Sequence, residues 1–113
     1  MQKSTWLRLA SIAVFFGCAY VAYTQAPQPT KIETRKLGDN LYVIWNDFVP
    51  GNTTVLITKE GVILVDDKFE QDGDNILASV KKLTPLPVKY VINTHYHGDH
   101  SGSNPTMAKA ALH

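Results

Sequence analysis

Short apolar runs separated by turn-forming residues characterise the chain after residue 30 and predict a β-sheet. The runs are rich in β-branched and aromatic side chains, which favour extended backbone. Lys59-Glu60-Gly61 joins two of them in a predicted hairpin. The run Val62–Val65 is apolar at four successive positions, which is expected of a strand covered on both faces. The predicted strands are 31–37 (at a sheet edge), 41–45, 53–58, 62–65 and 89–93.

Two helices are also predicted. The first covers about 75–83, where apolar residues fall at helical spacing and form one stripe, and Asp72 or Asp74 is placed to cap its first turn. The second covers 106–112, with Asn104 as N-cap and Pro105 at the first helical position. The order strand, helix, strand around the first helix predicts a β-α-β unit with parallel strands, and hence an α/β domain. The stripe of the first helix consists of Ile76, Leu77, Val80 and Leu83.

The chain opens with a basic and then apolar segment that is typical of an export signal. Lys3 and Arg8 come before an apolar run, residues 9–23, that is interrupted only by Ser11. A membrane-spanning helix needs about 20 such residues, whereas the apolar part of a signal peptide has about 7–15. We therefore expect an exported protein that is periplasmic or secreted, or attached to a membrane only through this segment.

This interpretation divides the chain into three parts. Residues 1–25 are a signal peptide or N-terminal anchor, residues 26–30 are a proline-containing extended linker, and residues 31–113 are a partial domain. Cleavage after Thr24 or Ala26, a lipid anchor at Cys18 and an uncleaved membrane anchor all remain open.

The charge balance excludes one class of partner. Lysine and arginine total 11 and aspartate and glutamate total 10, so no basic excess indicates binding to nucleic acid. The single cysteine, Cys18, excludes an internal disulfide.

Three histidines and one aspartate fall within six consecutive positions after the last predicted strand. His95 and His97 are two residues apart, so they point to the same side of an extended segment but not of a helix. Gly98 permits a sharp turn that can bring Asp99 and His100 back toward the same volume. Neutral imidazole and carboxylate are zinc ligands, at about 2.0–2.2 Å from the metal. The motif therefore predicts a metal site at the carboxyl end of a strand, where α/β sheets bind ligands.

The segment Asn93-Thr94-His95-Tyr96-His97-Gly98-Asp99-His100-Ser101-Gly102 resembles the H-x-H-x-D-H signature of the metallo-β-lactamase superfamily. The resemblance implies the N-terminal half of a four-layer αββα sandwich, of the α/β (α+β) class, preceded by a signal peptide. It implies one or two Zn²⁺ ions, with His95 and His97 at one site and Asp99 and His100 at the other. Asp99 is then also the catalytic residue that orients the attacking water and accepts its proton.

Two acids, Asp66 and Asp67, follow the predicted strand Val62–Val65. Both are solvated turn residues in one interpretation. By resemblance, Asp66 instead matches an acid that the family keeps near the metals without binding them, and such a carboxylate orients the ligand imidazoles. The family more often has threonine or serine at the position of Asp67, which leaves this residue without an assigned role.

The resemblance implies a metal-dependent hydrolase in which metal-bound hydroxide attacks an ester, thioester, lactone or β-lactam, and hence a small-molecule substrate. The family's remaining metal ligands lie beyond the part of the fold that these residues match, so a truncated chain is expected, with apolar side chains exposed on an uncovered sheet face. Two alternatives remain open. One is an inactive half-domain that binds metal weakly; the other is a di-iron oxidoreductase relative, which His97 disfavours because those relatives usually have glutamate there.

Overall fold

Five strands form one sheet in the computed structural model, which describes residues 28–47 and 50–111. The expected signal peptide or anchor at 1–25, the start of the expected linker and His113 lie outside the described residues. The strands lie side by side in chain order: β1 (Glu33–Lys36), β2 (Leu41–Trp45), β3 (Thr53–Ile57), β4 (Val62–Val65) and β5 (Val88–Ile92).

Strand pairing follows the predicted pattern. The first four strands pair antiparallel, and β4 and β5 pair parallel. The predicted edge strand is β1, whose four residues are all exposed. The parallel pair is joined by a 3₁₀ turn, Glu70–Asp72, and by helix α1, Gly73–Leu83. The predicted β-α-β unit is thus confirmed.

Two short helices follow β5. They are α2 (Gly98–Ser101), which lies inside the histidine motif, and α3 (Asn104–Ala110). Within 28–47 and 50–111, no helix is both long enough and apolar enough to cross a membrane.

The core lies between one face of the sheet and helices α1 and α3. The apolar stripe of α1 faces it, because Ile76 and Val80 are buried and Leu77 and Leu83 pack against the cluster as partly buried residues. Burial of each large apolar side chain contributes about 1.5–3 kcal/mol relative to exposure. The fully buried cluster consists of Ile44, Val55, Val62, Leu64, Ile76, Val80 and Met107.

The opposite face of the sheet is less covered. Along β4, buried Val62 and Leu64 alternate with half-buried Ile63 and Val65, so the expectation that this strand is covered on both faces is wrong for the described part of the chain. Ile63 pairs with Tyr90 in β5, which is 59% exposed, and the neighbouring Ile92 is 55% exposed. The expectation of apolar side chains on an open sheet face is confirmed.

The helix caps match the predictions only in part. Asp72 occupies the N-cap position of α1, but its side chain makes no capping hydrogen bond, because Oδ1 accepts hydrogen bonds from the backbone N and Oγ1 of Thr30, at 2.8 and 2.7 Å. Helix α3 begins at Asn104 and not at residue 106, and Ser103 replaces Asn104 as its N-cap. The carboxylate of Asp72 is thus bound to a residue distant in the chain instead of capping the helix.

Candidate metal centre

The carboxyl ends of β4 and β5 lie side by side and bring Asp66 to the histidine motif. Because the two strands are parallel neighbours, the residues that follow them meet at one sheet edge. The backbone N–H of Asp66 continues the ladder by donating to the carbonyl of Ile92, at 2.8 Å. Asp66 then takes a left-handed conformation, with φ of 61°, an uncommon geometry for a residue other than glycine. This turn directs its carboxylate to the residues after β5.

The buried carboxylate of Asp66 accepts three hydrogen bonds from the motif. Oδ1 accepts from the backbone N–H of Thr94 at 2.7 Å. Oδ2 accepts from the Thr94 hydroxyl at 2.8 Å and lies 2.7 Å from Nδ1 of His100. Burial alone raises the pKa of Asp66, but the hydrogen bonds from His100 and Thr94 outweigh it, so its pKa lies below the ordinary value. Asp66 is therefore ionised at neutral pH.

These hydrogen bonds fix the tautomers of two histidines. An ionised carboxylate only accepts hydrogen bonds, so Nδ1 of His100 carries a proton, and Nε2 has the lone pair when the imidazole is neutral. The Thr94 hydroxyl gives its single proton to Asp66, so at 2.9 Å from Nδ1 of His95 it can only accept. Nδ1 of His95 thus also carries a proton, and Nε2 has the lone pair when this imidazole is neutral. A neutral imidazole in which one nitrogen is oriented by a carboxylate or hydroxyl is the form that binds metals.

The predicted ligands lie close together. The ring centroids of His95 and His100 are 4.0 Å apart, and those of His95 and His97 are 4.8 Å apart. Oδ2 of Asp99 lies 3.3 Å from Nε2 of His100. Since both atoms carry lone pairs in the tautomer assigned above, a proton or a cation shared between them would relieve their repulsion.

The donor types therefore suit zinc, and the hydrogen bonds present two of them in the required form. Across the described ranges, however, no three histidine, cysteine, aspartate or glutamate side chains are arranged to hold a metal ion together. The roles of His95, His97, Asp99 and His100 as ligands, and of Asp66 as the residue that orients them, stay predictions.

The two residues after Asp66 hold the motif through its backbone. The N–H of Asp67 donates to the carbonyl of His100 at 2.9 Å, and Oδ1 of Asp67 accepts from the N–H of Ser103 at 3.0 Å. The carbonyl of Lys68 accepts from the N–H of Gly102 at 2.9 Å. Asp67 and Lys68 are fully buried and Asp66 is 5% exposed, so the interpretation of both acids as solvated turn residues is wrong.

The environment of Asp67 is unfavourable for a charge. Burial raises the pKa of Asp67 to about 6, the hydrogen bond from Ser103 acts in the opposite direction, and the charge of Asp66 adds to the increase. Oδ2 of Asp67 has no hydrogen-bond partner. These contacts give a structural role to the acid that sequence comparison left unexplained.

Sequence reasoning missed Thr94 and Lys68 as residues of this site. Thr94 directly precedes His95, and a hydroxyl at that position was a usable signal, because a side chain beside a ligand histidine can fix its tautomer. Lys68 had no comparable signal. Its hydrogen bonds are to Gly102 and to Gly51, both distant in sequence.

Solved structures with the same fold come from bacterial and environmental metallo-β-lactamases. The enzyme from Pontibacter korlensis is 24% identical with a TM-score of 0.60, over 70% of this chain and 40% of that one. Metallo-β-lactamase SMB-1 bound to 2-mercaptoethanesulfonate is 25% identical with a TM-score of 0.60, over 75% and 32%. The class B3 di-zinc metallo-β-lactamase LRA-12 from an Alaskan soil metagenome is 23% identical with a TM-score of 0.58, over 75% and 31%.

This chain thus spans 31% to 40% of the length of these three structures. No curated protein is similar enough in sequence to count as a relative. The sequence profile of the metallo-beta-lactamase superfamily matches residues 46–111, which is more than half of the chain and includes the whole histidine motif. Together with the shared fold, this match shows that the chain belongs to the metallo-β-lactamase superfamily.

Proposed function

We propose that the motif supplies part of the zinc site of a hydrolase that cleaves an ester, thioester, lactone or β-lactam. The observation that carries the proposal is the hydrogen-bond network of Asp66. Its contacts with Thr94 and His100 place a proton on Nδ1 of both His95 and His100, so that Nε2 is the lone-pair atom of each neutral imidazole. A surface loop that contains histidines by chance has no reason to fix two of them in the metal-binding tautomer.

In this proposal His95 and His97 hold one zinc ion, and Asp99 and His100 hold a second or share the first. Further ligands come from outside the described residues, since those described do not form a group of three. A bound zinc ion supplies a Lewis acid that lowers the pKa of water from about 15.7 to about 7. Membership of a metallo-hydrolase superfamily and the similarity to a di-zinc enzyme support this choice of metal.

The protein's own groups position the reaction. Asp66 keeps the imidazole of His100 in one orientation, and Thr94 does the same for His95. Asp99 projects its carboxylate next to His100, at 3.3 Å, where it can orient a water molecule and accept its proton. A positioned general base of this kind contributes about 10²–10⁴-fold to the rate.

The substrate is proposed to be a small molecule with an electrophilic carbonyl. The SMB-1 structure contains a small thiol-containing molecule, 2-mercaptoethanesulfonate, and similarity to that enzyme favours a small-molecule substrate here.

The test is hydrolysis of a panel containing one chromogenic substrate of each class by the complete gene product. We expect hydrolysis of at least one class, its loss with EDTA and its return with Zn²⁺. Asp99→Asn should lower kcat by about 10²-fold or more, whereas Asp74→Asn, a matched change of an exposed acid in α1, should leave it unchanged. Equal activity of the two variants would contradict the assigned role of Asp99.

A second candidate function is favoured by the open sheet face at Tyr90 and Ile92 and by the lack of a group of three metal ligands among the residues that the structure describes. In it, the 113-residue chain is an inactive half-domain that binds metal weakly. Hydrolysis of the same substrate panel by the 113-residue chain alone tests this candidate. We expect negligible turnover, and EDTA-sensitive hydrolysis would contradict the half-domain candidate.

A further inference from the structure

Lys68 is a buried lysine that joins two loops at the candidate metal centre. It is the third residue after β4, is fully buried and has a left-handed backbone, with φ of 61°. Its ammonium Nζ donates a hydrogen bond to the carbonyl oxygen of Gly51, in the loop before β3. Its own carbonyl accepts from the N–H of Gly102 at 2.9 Å. One residue thus connects the loop before β3 to the end of the histidine motif.

The other side of Gly51 lies directly against Asp99. Gly51 has φ of 86°, a conformation that L side chains rarely adopt. A Cβ at this position would overlap the carbonyl oxygen of Asp99 and would lie 3.2 Å from its carbonyl carbon. The backbone of the loop is therefore pressed onto the backbone of a predicted metal ligand, and Lys68 holds it there.

The charges around Lys68 are consistent with this arrangement. Burial lowers the pKa of the Lys68 amine, and the carboxylates of Asp72 and Asp99 act in the opposite direction by favouring its charged form. A charged group in the interior is costly unless it is paired and hydrogen-bonded. An apolar side chain would fill the same space without this cost, so packing alone does not explain a lysine here.

We propose that Lys68 is a positioning residue for Asp99, which it fixes through its hydrogen bond to Gly51. It touches no substrate in this proposal. Without the hydrogen bond the loop moves away from Asp99, the motif backbone loosens, and the carboxylate loses its defined position. The effect on metal binding rests on the proposed function, in which Asp99 is a ligand, whereas the effect on the motif backbone does not.

The first measurement uses metal-free protein and amide hydrogen exchange. In Lys68→Met, exchange at the amides of His100 and Gly102 should be faster by about tenfold, because one hydrogen bond to the supporting loop is lost. Gly51→Ala should have the same effect, since it pushes the loop away from Asp99 while the lysine is retained. Unchanged exchange at these amides in Lys68→Met would overturn the proposal.

Two controls separate positioning from general loss of stability. Val80→Ala removes buried side-chain volume from α1 and should speed exchange throughout the domain and not preferentially in the motif. Asn52→Ala changes an exposed side chain in the same loop and should have little effect. If Val80→Ala reproduces the pattern of Lys68→Met at equal global stability, Lys68 is merely structural and the proposal is wrong.

The second measurement is the zinc dissociation constant by competition with a chromophoric chelator. Lys68→Met and Gly51→Ala should each weaken binding by about 10–100-fold, as expected for residues that support a ligand. The double variant should bind no more weakly than the weaker single variant, because both act through one contact. If zinc fails to bind the wild type, the proposed function fails, and hydrogen exchange still decides the role of Lys68. If the wild type binds zinc and both variants bind it equally well, only the positioning proposal fails.

Discussion

Replacing Asp67 with asparagine tests whether a buried carboxyl group makes stability depend on pH. Asp67 is fully buried, Oδ1 accepts a hydrogen bond from Ser103, and Oδ2 has no partner. Asparagine can keep the first interaction, and it carries no charge at any pH. The substitution therefore removes the titration of residue 67 while changing its shape very little.

The magnitude follows from the pKa of Asp67, which rises from 3.8 to about 6 on folding. The folded state then holds the proton more tightly than the unfolded state, so the contribution is fully present below pH 3.8 and is lost as the pH rises through 6. At about 1.4 kcal/mol per pKa unit, the loss amounts to about 3 kcal/mol. Relative to wild type, Asp67→Asn should thus gain up to about 3 kcal/mol of unfolding free energy between pH 4 and pH 8.

The assay is urea unfolding of both proteins at several pH values in the presence of EDTA. Only the difference between the two proteins is interpreted, because the histidines and other acids titrate in both. Asp74→Asn, at an exposed site in α1, is the matched control and should show a much smaller change with pH. A difference between wild type and Asp67→Asn that stays constant from pH 4 to pH 8 would refute the reasoning.

Three further substitutions test packing and hydrogen bonding. Gly102→Ala should lower the unfolding free energy by about 1–3 kcal/mol or more. A Cβ there would lie 2.5 Å from the Gly98 carbonyl oxygen and 2.7 Å from the backbone N of Glu70. A decrease below about 0.5 kcal/mol in urea unfolding would be too small for this overlap. Thr30→Val should cost about 1–3 kcal/mol, since it removes a hydroxyl donor to the buried carboxylate of Asp72, and an unchanged denaturation midpoint would show that this hydrogen bond contributes nothing. Asp66→Asn should weaken zinc binding by about 10–100-fold, and an unaltered dissociation constant in chelator competition would remove Asp66 from the site.

Local sequence patterns were sufficient to predict most of the fold. The strands β2 and β4 begin and end at the predicted residues, and the parallel pairing of β4 with β5 follows from the helix between them. Apolar and β-branched runs determine strands, and the spacing of the α1 stripe determines which side of that helix is buried. These properties depend on residues close together in the chain.

The errors arise where a distant residue changes the outcome. Asp72 has the sequence position of a helix cap, but its carboxylate binds Thr30, which lies 42 residues earlier. The uniform apolar character of β4 predicts burial on both faces, yet Ile63 and Val65 are only half-buried, since α1 and α3 both pack against the other face of the sheet. Neither the contact of Asp72 with Thr30 nor the side of the sheet on which the helices lie can be identified from the local sequence pattern.

The residues of the candidate site likewise fall into those that a local motif predicts and those that only the fold brings together. His95, His97, Asp99 and His100 could be named from one short motif, because their spacing and chemistry are local. The supporting contacts of Lys68 with Gly51 and Gly102 join segments far apart in sequence. They emerge only when the loop before β3 and the turn after β4 are brought together by the sheet.

The account depends most on the claim that the motif binds zinc. The most direct test is the zinc content of the complete gene product, measured by mass spectrometry after dialysis. The proteins compared are wild type, the double variant His95→Ala/His97→Ala and the control Asp74→Asn, at an exposed site in α1. We expect one or two zinc ions per chain in wild type and in Asp74→Asn, and a loss of at least one ion per chain in the double variant. Equal zinc content in all three proteins would contradict the account.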